Sequence, residues 1–367
     1  MRFPRGNGQR LSCGIIGCGY IADIYMEAFR GLPQVRVAAA CDTDSERLAA
    51  FCSRYRVGRG FAGMEELLES GELSFVVIGT PPFTHHLLCR TAIDHGVPTL
   101  VEKPVCLSLA EAQELAEFSA RTGVPVAVMQ NYRFKDAVLR AQRLLQSGEL
   151  GELRRVDCVY HGGTPQSQKE KWRQQERHNR LLLYEWAEHF LDIEVAFAGP
   201  VKSIHAVHVT HNSELDSTVA VQALIEHASG AVGSLDLQLF SGAESVRVEL
   251  HGSRRLAVLK FFPEGCACYS GQVTPLHELL AESRRAARFA WNVARERLTP
   301  GIVSRRAISH WRFVKQYSEF LSGTQSRIPV SIEDILPTVA VLDQLAAAVY
   351  GRGRLEGTAS FWMNGKR

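Results

Sequence analysis

A glycine-rich turn between a predicted strand and a predicted helix constrains this chain more than any other feature. The apolar run 11–16 predicts a buried β-strand, and 21–30 has the apolar spacing of a helix. Between them lies G-x-G-x-x-A, with Gly17, Gly19 and Ala22 at its fixed positions. The glycines permit a tight turn and close approach of a ligand to the backbone, and the alanine lets the helix pack against the strand. The alternative is a purely structural strand–helix connection.

A carboxylate at the end of the second predicted strand adds to the glycine signal. Asp42 follows the apolar run 35–41 and lies 25 residues beyond Gly17. An acid there accepts hydrogen bonds from ribose hydroxyls and repels a 2′-phosphate, whereas its alternative use is to cap the next helix. The N–H groups of Tyr20 and Ile21, at the start of the first helix, suit a pyrophosphate. Together these features predict a dinucleotide site that prefers NAD to NADP.

The remainder of the first third alternates strands and helices. The further predicted strands are 75–78 and 99–101, and the further helices are 44–55, 64–70 and 85–95. Such alternation, with connections long enough for crossovers, predicts an α/β domain with a parallel, doubly wound sheet.

Two loops follow strands of this sheet and therefore fall at its carboxyl edge, where such folds bind ligands. Thr80 and Pro81 come directly after one strand, and His85 begins the next helix. We predict cofactor contact there, with an exposed helix turn as the alternative for the histidine. Glu102 and Lys103 end the next strand, so that Lys103 either points into the cleft or forms a surface ion pair with Glu102.

Composition limits the class of protein. The 367 residues suggest two domains, and a net charge of +3 gives no reason to expect nucleic acid as a partner. No apolar run reaches the ~18 residues of a membrane span, and the first residues lack the unbroken apolar stretch of a signal peptide. Among nine scattered cysteines only Cys266 and Cys268 are close, without partners for a zinc site. We therefore expect reduced thiols, no metal and a cytoplasmic location.

The pattern changes after Phe134, where strand-like alternation dominates. We predict two domains, 1–130 and 131–367, with a late helix at 332–350 packing on the fold. The predicted strands of the second domain are 153–161, 201–209, 218–227, 231–239, 245–250 and 256–262.

The helical stretch 181–197 holds the strongest catalytic candidates. Glu185 and His189 are four residues apart and Asp192 lies three further on, which predicts one face of an α-helix. An imidazole with a near-neutral pKa can take a proton from a hydroxyl, and a carboxylate can orient it. The alternative is a surface ion pair.

The order of these motifs resembles the Gfo/Idh/MocA superfamily (glucose–fructose oxidoreductase, inositol 2-dehydrogenase and rhizopine catabolism). The resemblance covers nearly the whole chain. It rests on GIIGCGYIA at 14–22, Asp42, TPP at 80–82, EKP at 102–104, NYRF at 131–134 and E-x-x-x-H-x-x-D at 185–192. It implies a Rossmann domain followed by an α/β domain with a large, open, mostly antiparallel sheet. It also implies NAD(P)-dependent oxidation or reduction of a sugar, cyclitol or nucleotide sugar, and a dimer or tetramer formed through the open sheet face.

The resemblance also implies residue roles. Lys103 would hydrogen-bond the substrate oxygen and His189 would accept the proton. Glu185 stands where the family usually has aspartate, Ala187 where many members have glycine, and 178–180 replaces a glycine-rich stretch. These departures concern the substrate more than the cofactor.

Asp192 is also a candidate for substrate contact, and three more residues become substrate candidates in this frame. Asn131 and Arg133, near the domain junction, are predicted to contact cofactor or substrate, or else to fix the hinge. The polar stretch 162–179 carries Trp172, which either stacks on a sugar face from a lid or fills a local core.

The stretch 284–315 is not explained by the family. Nine basic residues stand there against Glu296 alone, interleaved with Phe289, Trp291, Trp311 and Phe313. Such a segment suits an anionic membrane surface or a phosphorylated substrate, but it is more often a solvated face or a subunit contact.

Two other functions share the same cofactor site. In the first, tightly held NAD oxidises the substrate transiently, for glycosidic elimination or coupled redox chemistry. In the second, the protein is a regulatory NAD(H)-binding protein without catalysis. Release of free NADH on turnover distinguishes the dehydrogenase from both.

Overall fold

A computed structural model describes residues 10–71, 73–162, 182–212, 217–239, 241–271, 274–298 and 303–351. These residues form two compact units. Unit 1 contains 10–131 and 303–336, and unit 2 contains the described part of 132–298 together with 337–351. The stretch 303–336 therefore belongs to unit 1, although the sequence placed it in the second domain.

Unit 1 is built on a six-stranded sheet of order β3-β2-β1-β4-β5-β6, in which all neighbours are parallel. Its strands are β1 Leu11–Ile16, β2 Val35–Cys41, β3 Gly60–Phe61, β4 Phe75–Ile78, β5 Thr99–Glu102 and β6 Val126–Met129. The helices that connect these strands along the chain are α1 Tyr20–Arg30, α2 Ser45–Tyr55, α3 Met64–Glu69, α4 His85–Asp94 and α5 Leu109–Thr122. β4 and β6 are apolar and buried throughout, as in a sheet that is covered on both faces. The doubly wound prediction is confirmed.

The late segment of unit 1 completes its core. It forms α9 Ile308–Leu321, where the fully buried Tyr317 packs edge-on against Phe75 at 5.7 Å. The Tyr317 hydroxyl donates to the carbonyl of Thr99 at 3.1 Å, and the indole of Trp311 donates to the carbonyl of Gly31 at 3.0 Å. Burying these aromatic rings explains why a segment so late in the sequence joins the first sheet.

Unit 2 is built on a seven-stranded sheet of order β13-β12-β11-β7-β10-β9-β8. Its strands are β7 Leu153–His161, β8 Val201–Asn212, β9 Ser217–His227, β10 Val232–Gln238, β11 Ser245–Gly252, β12 Leu256–Phe261 and β13 Glu264–Tyr269. Only β7 and β10 pair in parallel, so the predicted mostly antiparallel sheet is confirmed. β13, with the sequence EGCACY, was not predicted because it lacks β-branched residues.

Helices pack on one face of this sheet. They include α6 Asp136–Gln146, which contacts β12 and β13, and α7 Glu188–Ala198, which contacts β7 and β10. A π-helical stretch, Leu182–Ala187, leads directly into α7. The two remaining helices of the described chain are α8 Pro275–Leu298 in unit 2 and α10 Ile332–Tyr350, within which the unit boundary falls.

The basic stretch 284–315 is divided between two helices. Its first part belongs to α8 in unit 2 and its second part to α9 in unit 1. Phe313 is fully buried in the core of unit 1, whereas Trp291 is exposed. Within the described ranges, no helix combines the length and the apolar character needed to span a bilayer. All nine cysteines are free thiols.

Candidate functional site

The glycine turn of unit 1 is shaped for a ligand that approaches the backbone. Gly17 has φ +91°, and a Cβ atom there would lie 2.8 Å from the carbonyl oxygen of Gly79. At Gly19 a Cβ would meet no atom within 4 Å, so the space above it is open. α1 begins at Tyr20, followed by Ile21, and no side chain caps its N-terminus. These N–H groups and the helix dipole favour an anion.

Asp42 is tied to the turn itself. Its carboxylate accepts the N–H of Cys18 at 2.8 Å and the N–H of Asp44 at 2.9 Å, and the residue is 8% exposed. Asp44, not Asp42, caps α2, by accepting from the backbone N–H groups of Glu46 and Arg47. Each carboxylate oxygen of Asp42 has a second lone pair, so the group fits a ribose hydroxyl donor while holding the turn.

His85 joins the two predicted ligand loops. It is fully buried, with Nε2 2.9 Å from the carbonyl of Thr80 and Nδ1 2.8 Å from the carbonyl of Pro104. Burial lowers the pKa of His85 below its ordinary value. A neutral imidazole donates only one of these bonds. The geometry favours a positioning role for His85 over the predicted cofactor contact. Thr80 and Pro81 remain at the loop edge, half-buried.

Glu102 is also held from within unit 1. It accepts the hydroxyl of Tyr25 at 2.8 Å, and Nε2 of His310 lies 3.7 Å from the same oxygen. Burial alone would raise the pKa of Glu102, but His310 and Tyr25 hold it below its usual value. Glu102 therefore anchors the strand end that carries the half-buried Lys103, and direct cofactor contact by Glu102 is less favoured than predicted.

These observations fit a dinucleotide at the carboxyl edge of the parallel sheet. The backbone of Gly17, Gly19, Tyr20 and Ile21 would hold the pyrophosphate, and Asp42 would face the adenosine ribose. The open space above Gly19 and the uncapped start of α1 are the features that such a ligand requires.

His189 on α7 is the best-placed titratable group of unit 2. Its ring stacks on that of Tyr132, with centroids 4.2 Å apart and planes 15° apart. Nδ1 lies 3.8 Å from Oε2 of Glu188. On the other side of the pair, Nζ of Lys135 lies 4.7 Å from the Tyr132 ring centroid, and burial lowers the pKa of Lys135. Stacking of this kind fixes the imidazole plane.

Glu185 lies in the π-helical stretch before α7 and is half-buried. Residues at i and i+4 share a face in a regular α-helix, and the π-helical backbone at Glu185 does not have this period. The spacing therefore does not place Glu185 against His189. The carboxylate recorded beside His189 is Glu188, which the sequence reasoning did not select.

Arg133 and Asp192 are paired with each other. Nε and Nη2 of Arg133 donate to the two oxygens of Asp192 at 2.7 and 2.6 Å, and the hydroxyl of Thr338 donates to Asp192 at 3.2 Å. The Asp192 side chain is 0% exposed. Such a buried, bidentate pair orients α7 against the segment that carries Tyr132, so it favours positioning over the predicted substrate contact for Asp192.

The remaining predicted residues are dispersed. Asn131 begins a short 3₁₀ turn in unit 1, and its buried Oδ1 has no hydrogen-bond partner among the residues that the structure describes. Trp172 lies outside the described residues. The residues missed by sequence reasoning are Tyr132, Glu188, Tyr25 and His310. Of these, only Tyr132 had a local signal, as part of NYRF.

One cluster on the second sheet offers atoms of metal-ligand type. Asp157, Glu249 and His251 place ligand atoms within 4.8 Å of one another. However, Arg155 donates to Asp157 at 2.8 Å and Arg247 to Glu249 at 3.0 Å. The two guanidinium groups already neutralise the charge of the carboxylates. We therefore interpret the cluster as a row of cross-strand ion pairs.

The fold and the glycine turn define a two-unit protein with an NAD-binding Rossmann domain. A family model described as the oxidoreductase family with an NAD-binding Rossmann fold matches residues 11–130, and a GFO/IDH/MocA C-terminal domain matches 138–258. The chain belongs to the Gfo/Idh/MocA oxidoreductase family.

Named relatives and solved structures agree with this assignment. D-apiose dehydrogenase of Paraburkholderia graminis is 28% identical over 235 residues, which are 62% of this chain and 60% of the relative. D-apiose dehydrogenase of Rhizobium rhizogenes is 26% identical over 63% of this chain and 66% of the relative. The match thus spans under two thirds of either relative.

Among solved structures, an Agrobacterium radiobacter oxidoreductase in complex with NAD⁺, L-tartaric acid and magnesium gives a TM-score of 0.74. It is 21% identical, and the match covers 94% of this chain and 98% of that one. The WlbA dehydrogenase of Bordetella pertussis, in complex with NADH and UDP-GlcNAcA, gives a TM-score of 0.74 at 16% identity. That match covers 91% of this chain and 94% of the WlbA chain. At these identities the structures show the shared fold.

Proposed function

We propose that the protein is an NAD-dependent dehydrogenase acting on a CH–OH group of a sugar, cyclitol or nucleotide sugar. The observation that carries the proposal is His189, stacked on Tyr132 in a unit that accompanies an NAD-binding Rossmann domain. The relatives named as D-apiose dehydrogenases and the solved dehydrogenase with a nucleotide sugar support this substrate class.

Bound NAD supplies the hydride acceptor, and the residues of this chain manage the proton and the developing charge. His189, as a neutral imidazole, takes the hydroxyl proton while the carbon loses its hydride. Lys103 donates a hydrogen bond to the same oxygen and stabilises the negative charge that forms there. Glu185 and Glu188 are the carboxylates available near the histidine in sequence, and Arg133 is the residue of the buried pair that keeps 16% side-chain exposure.

Asp42 supports NAD over NADP, because a 2′-phosphate would meet a carboxylate that is already fixed by two N–H groups. Nine free thiols suit a reducing, cytoplasmic setting. We further propose a dimer or tetramer through the open face of the second sheet, where the cross-strand ion pairs of Asp157 and Glu249 lie.

The test is absorbance of NADH during incubation of the full chain with NAD and pooled sugars, cyclitols and nucleotide sugars. We expect NADH to appear, and to disappear in Lys103→Ala and His189→Ala. Matched controls are Lys202→Ala and His205→Ala, whose side chains are exposed on β8. Binding of NAD without release of NADH supports instead the enzyme with tightly held cofactor, or the regulatory protein. Failure to bind either dinucleotide overturns the proposal.

A further inference from the structure

α8 exposes an unusual amount of apolar surface. Ten large hydrophobic side chains are exposed among the described residues, and six of them lie on this helix. They are Leu276, Leu279, Leu280, Phe289, Trp291 and Leu298. Single exposed apolar residues are common, but a cluster on one helix marks a surface that contacts something else.

The helical period places most of these residues on one stripe. At 3.6 residues per turn, Leu276, Leu280, Trp291 and Leu298 fall within about a quarter of the circumference. Ala287, Ala290 and Ala294 continue the stripe between them.

The side turned towards the unit is polar instead. Arg285 is buried there, and its side chain fills the space over Gly265 of β13, where a Cβ atom would lie 2.6 Å from Arg285 Cγ. Asn292 is half-buried on the same side. The helix therefore packs through a mixed face that includes Arg285 and Asn292, and it presents its leucine and tryptophan stripe outward.

Basic residues border the apolar stripe on one flank. Arg284, Arg288 and Arg295 are exposed and fall next to Trp291 on the helical wheel. In the described part of the chain none of the three has a hydrogen bond or ion pair recorded.

A groove continues this basic flank onto α6. It has a volume of about 690 Å³, and its lining includes Arg140 and Arg143 of α6 as well as Arg288 and Trp291 of α8. Two carboxylates also line it: Asp136, and Glu149, which pairs with Arg255 at 2.7 Å, so three arginines face two acids. Guanidinium groups beside an indole form a site for a headgroup phosphate next to apolar chains.

We propose that α8 lies in the surface of an anionic membrane, with its apolar stripe in the acyl boundary and its arginines at the headgroups. A helix with leucine and tryptophan on one face and arginine beside it is the type that binds in this manner. An antiparallel pair of α8 helices from two copies would bring two arginine flanks together, which like-charge repulsion disfavours. Neither family model reaches this helix, since the C-terminal one ends at residue 258.

The experiment is sedimentation of the full chain with vesicles of phosphatidylcholine alone or mixed with phosphatidylglycerol. We expect the chain to sediment only with the anionic vesicles, and less as salt increases. Tryptophan emission should shift to shorter wavelength on binding. Trp291→Phe should remove that shift while sedimentation is retained.

The charge-neutralisation test uses Arg284→Gln, Arg288→Gln and Arg295→Gln together. At about fivefold per arginine, the triple variant should bind anionic vesicles about a hundredfold more weakly. The matched control is Arg10→Gln, Arg30→Gln and Arg154→Gln, three exposed arginines elsewhere. All six side chains are exposed, so thermal unfolding should be unchanged in both variants and confirms intact folding.

Three results would overturn the proposal. The first is no sedimentation with anionic vesicles, and the second is an equal loss of binding in the control triple. The third is a chain that does not bind vesicles but loses self-association, measured by light scattering, when Leu276→Gln and Leu280→Gln are introduced. That result assigns the stripe to a second copy.

Discussion

The two units place their functional groups in different ways. In unit 1 the groups that face the proposed cofactor are mostly backbone N–H groups, positioned by Gly17, Gly19 and the uncapped start of α1. In unit 2 the key group is the side chain of His189, and its helix is fixed by buried ion pairs. The difference is between a site built from local chain geometry and one built from contacts between distant residues.

Two such pairs hold α7. The first is Arg133–Asp192, and the second is Glu194–His227, in which Nε2 and Oε1 lie 2.9 Å apart and both side chains are almost fully buried. Substitutions at the glycine turn of unit 1 and at the buried pairs of unit 2 should therefore have different effects on stability and binding.

The largest effect is expected from Asp192→Ala. It leaves the largely buried Arg133 guanidinium without its bidentate partner, which should cost up to about 3–5 kcal/mol of the free energy of unfolding. Urea unfolding followed by circular dichroism measures it. The control is Glu149→Ala, which removes an Arg255 pair of 2.7 Å with both partners exposed, and should cost less than about 1 kcal/mol. Equal losses would show that burial of the pair is irrelevant.

A pH-dependent effect is expected at Glu194 and His227. Burial raises the pKa of Glu194. Burial alone would lower the pKa of His227, but its hydrogen bond to Glu194 outweighs burial and raises that pKa above 6.5. His227 therefore binds its second ring proton more tightly in the folded state than in the unfolded state. The stabilisation from this proton is complete below pH 6.5, the ordinary pKa of histidine, and is lost as the pH rises through the folded pKa of His227. Each unit of difference corresponds to about 1.4 kcal/mol.

Thermal unfolding across this pH range measures the effect, and Glu194→Gln should flatten the profile. The matched control is Glu226→Gln, which alters the exposed His205–Glu226 pair of the same 2.9 Å length and should leave the profile unchanged. A profile that stays steep in Glu194→Gln contradicts the assignment.

Gly17→Ala should break the unit 1 site through the backbone. An alanine side chain at this positive φ, close to the Gly79 carbonyl, should lower the free energy of unfolding by about 1–2 kcal/mol and weaken NADH binding. Gly19→Ala should change the free energy of unfolding by less than about 0.5 kcal/mol, because a Cβ there meets nothing. It should still weaken NADH binding, measured by calorimetry. Unchanged affinity in Gly19→Ala would mean that the cofactor does not approach this turn.

The smallest effect is expected at Tyr132. Tyr132→Leu removes the ring that stacks on His189 and should cost about 0.5–1.5 kcal/mol more than Tyr132→Phe. Turnover of a substrate found in the dehydrogenase screen should fall in the leucine variant and persist in the phenylalanine variant. Equal turnover in both would separate the stack from catalysis.

The same contrast explains what the sequence could predict. Four of the six strands of unit 1, the turn at Gly17 and the position of Lys103 at a strand end follow from local patterns, since apolar runs and glycines act within a few residues. The short edge strands β3 and β6 were not predicted. The seventh strand of unit 2 escaped because EGCACY carries no strand signal.

The buried pairs that hold α7 were not predicted for a different reason. Arg133 and Asp192 are 59 residues apart, and Glu194 and His227 are 33 apart. No periodicity connects such partners, so sequence reasoning assigned Arg133 and Asp192 to substrate contact. It also assigned 303–336 to the wrong unit, because the burial of Tyr317 against Phe75 is visible only in three dimensions.

The late return of the chain to unit 1 has a consequence for synthesis. Residues 10–131 leave the ribosome first, yet the aromatic ring that covers Phe75 belongs to Tyr317, more than two hundred positions later. Unit 2 likewise waits for Thr338, whose hydroxyl reaches Asp192. Both units are therefore completed by the same late stretch, 303–351, and a nascent chain halted before it exposes two unfinished cores to chaperones and proteases.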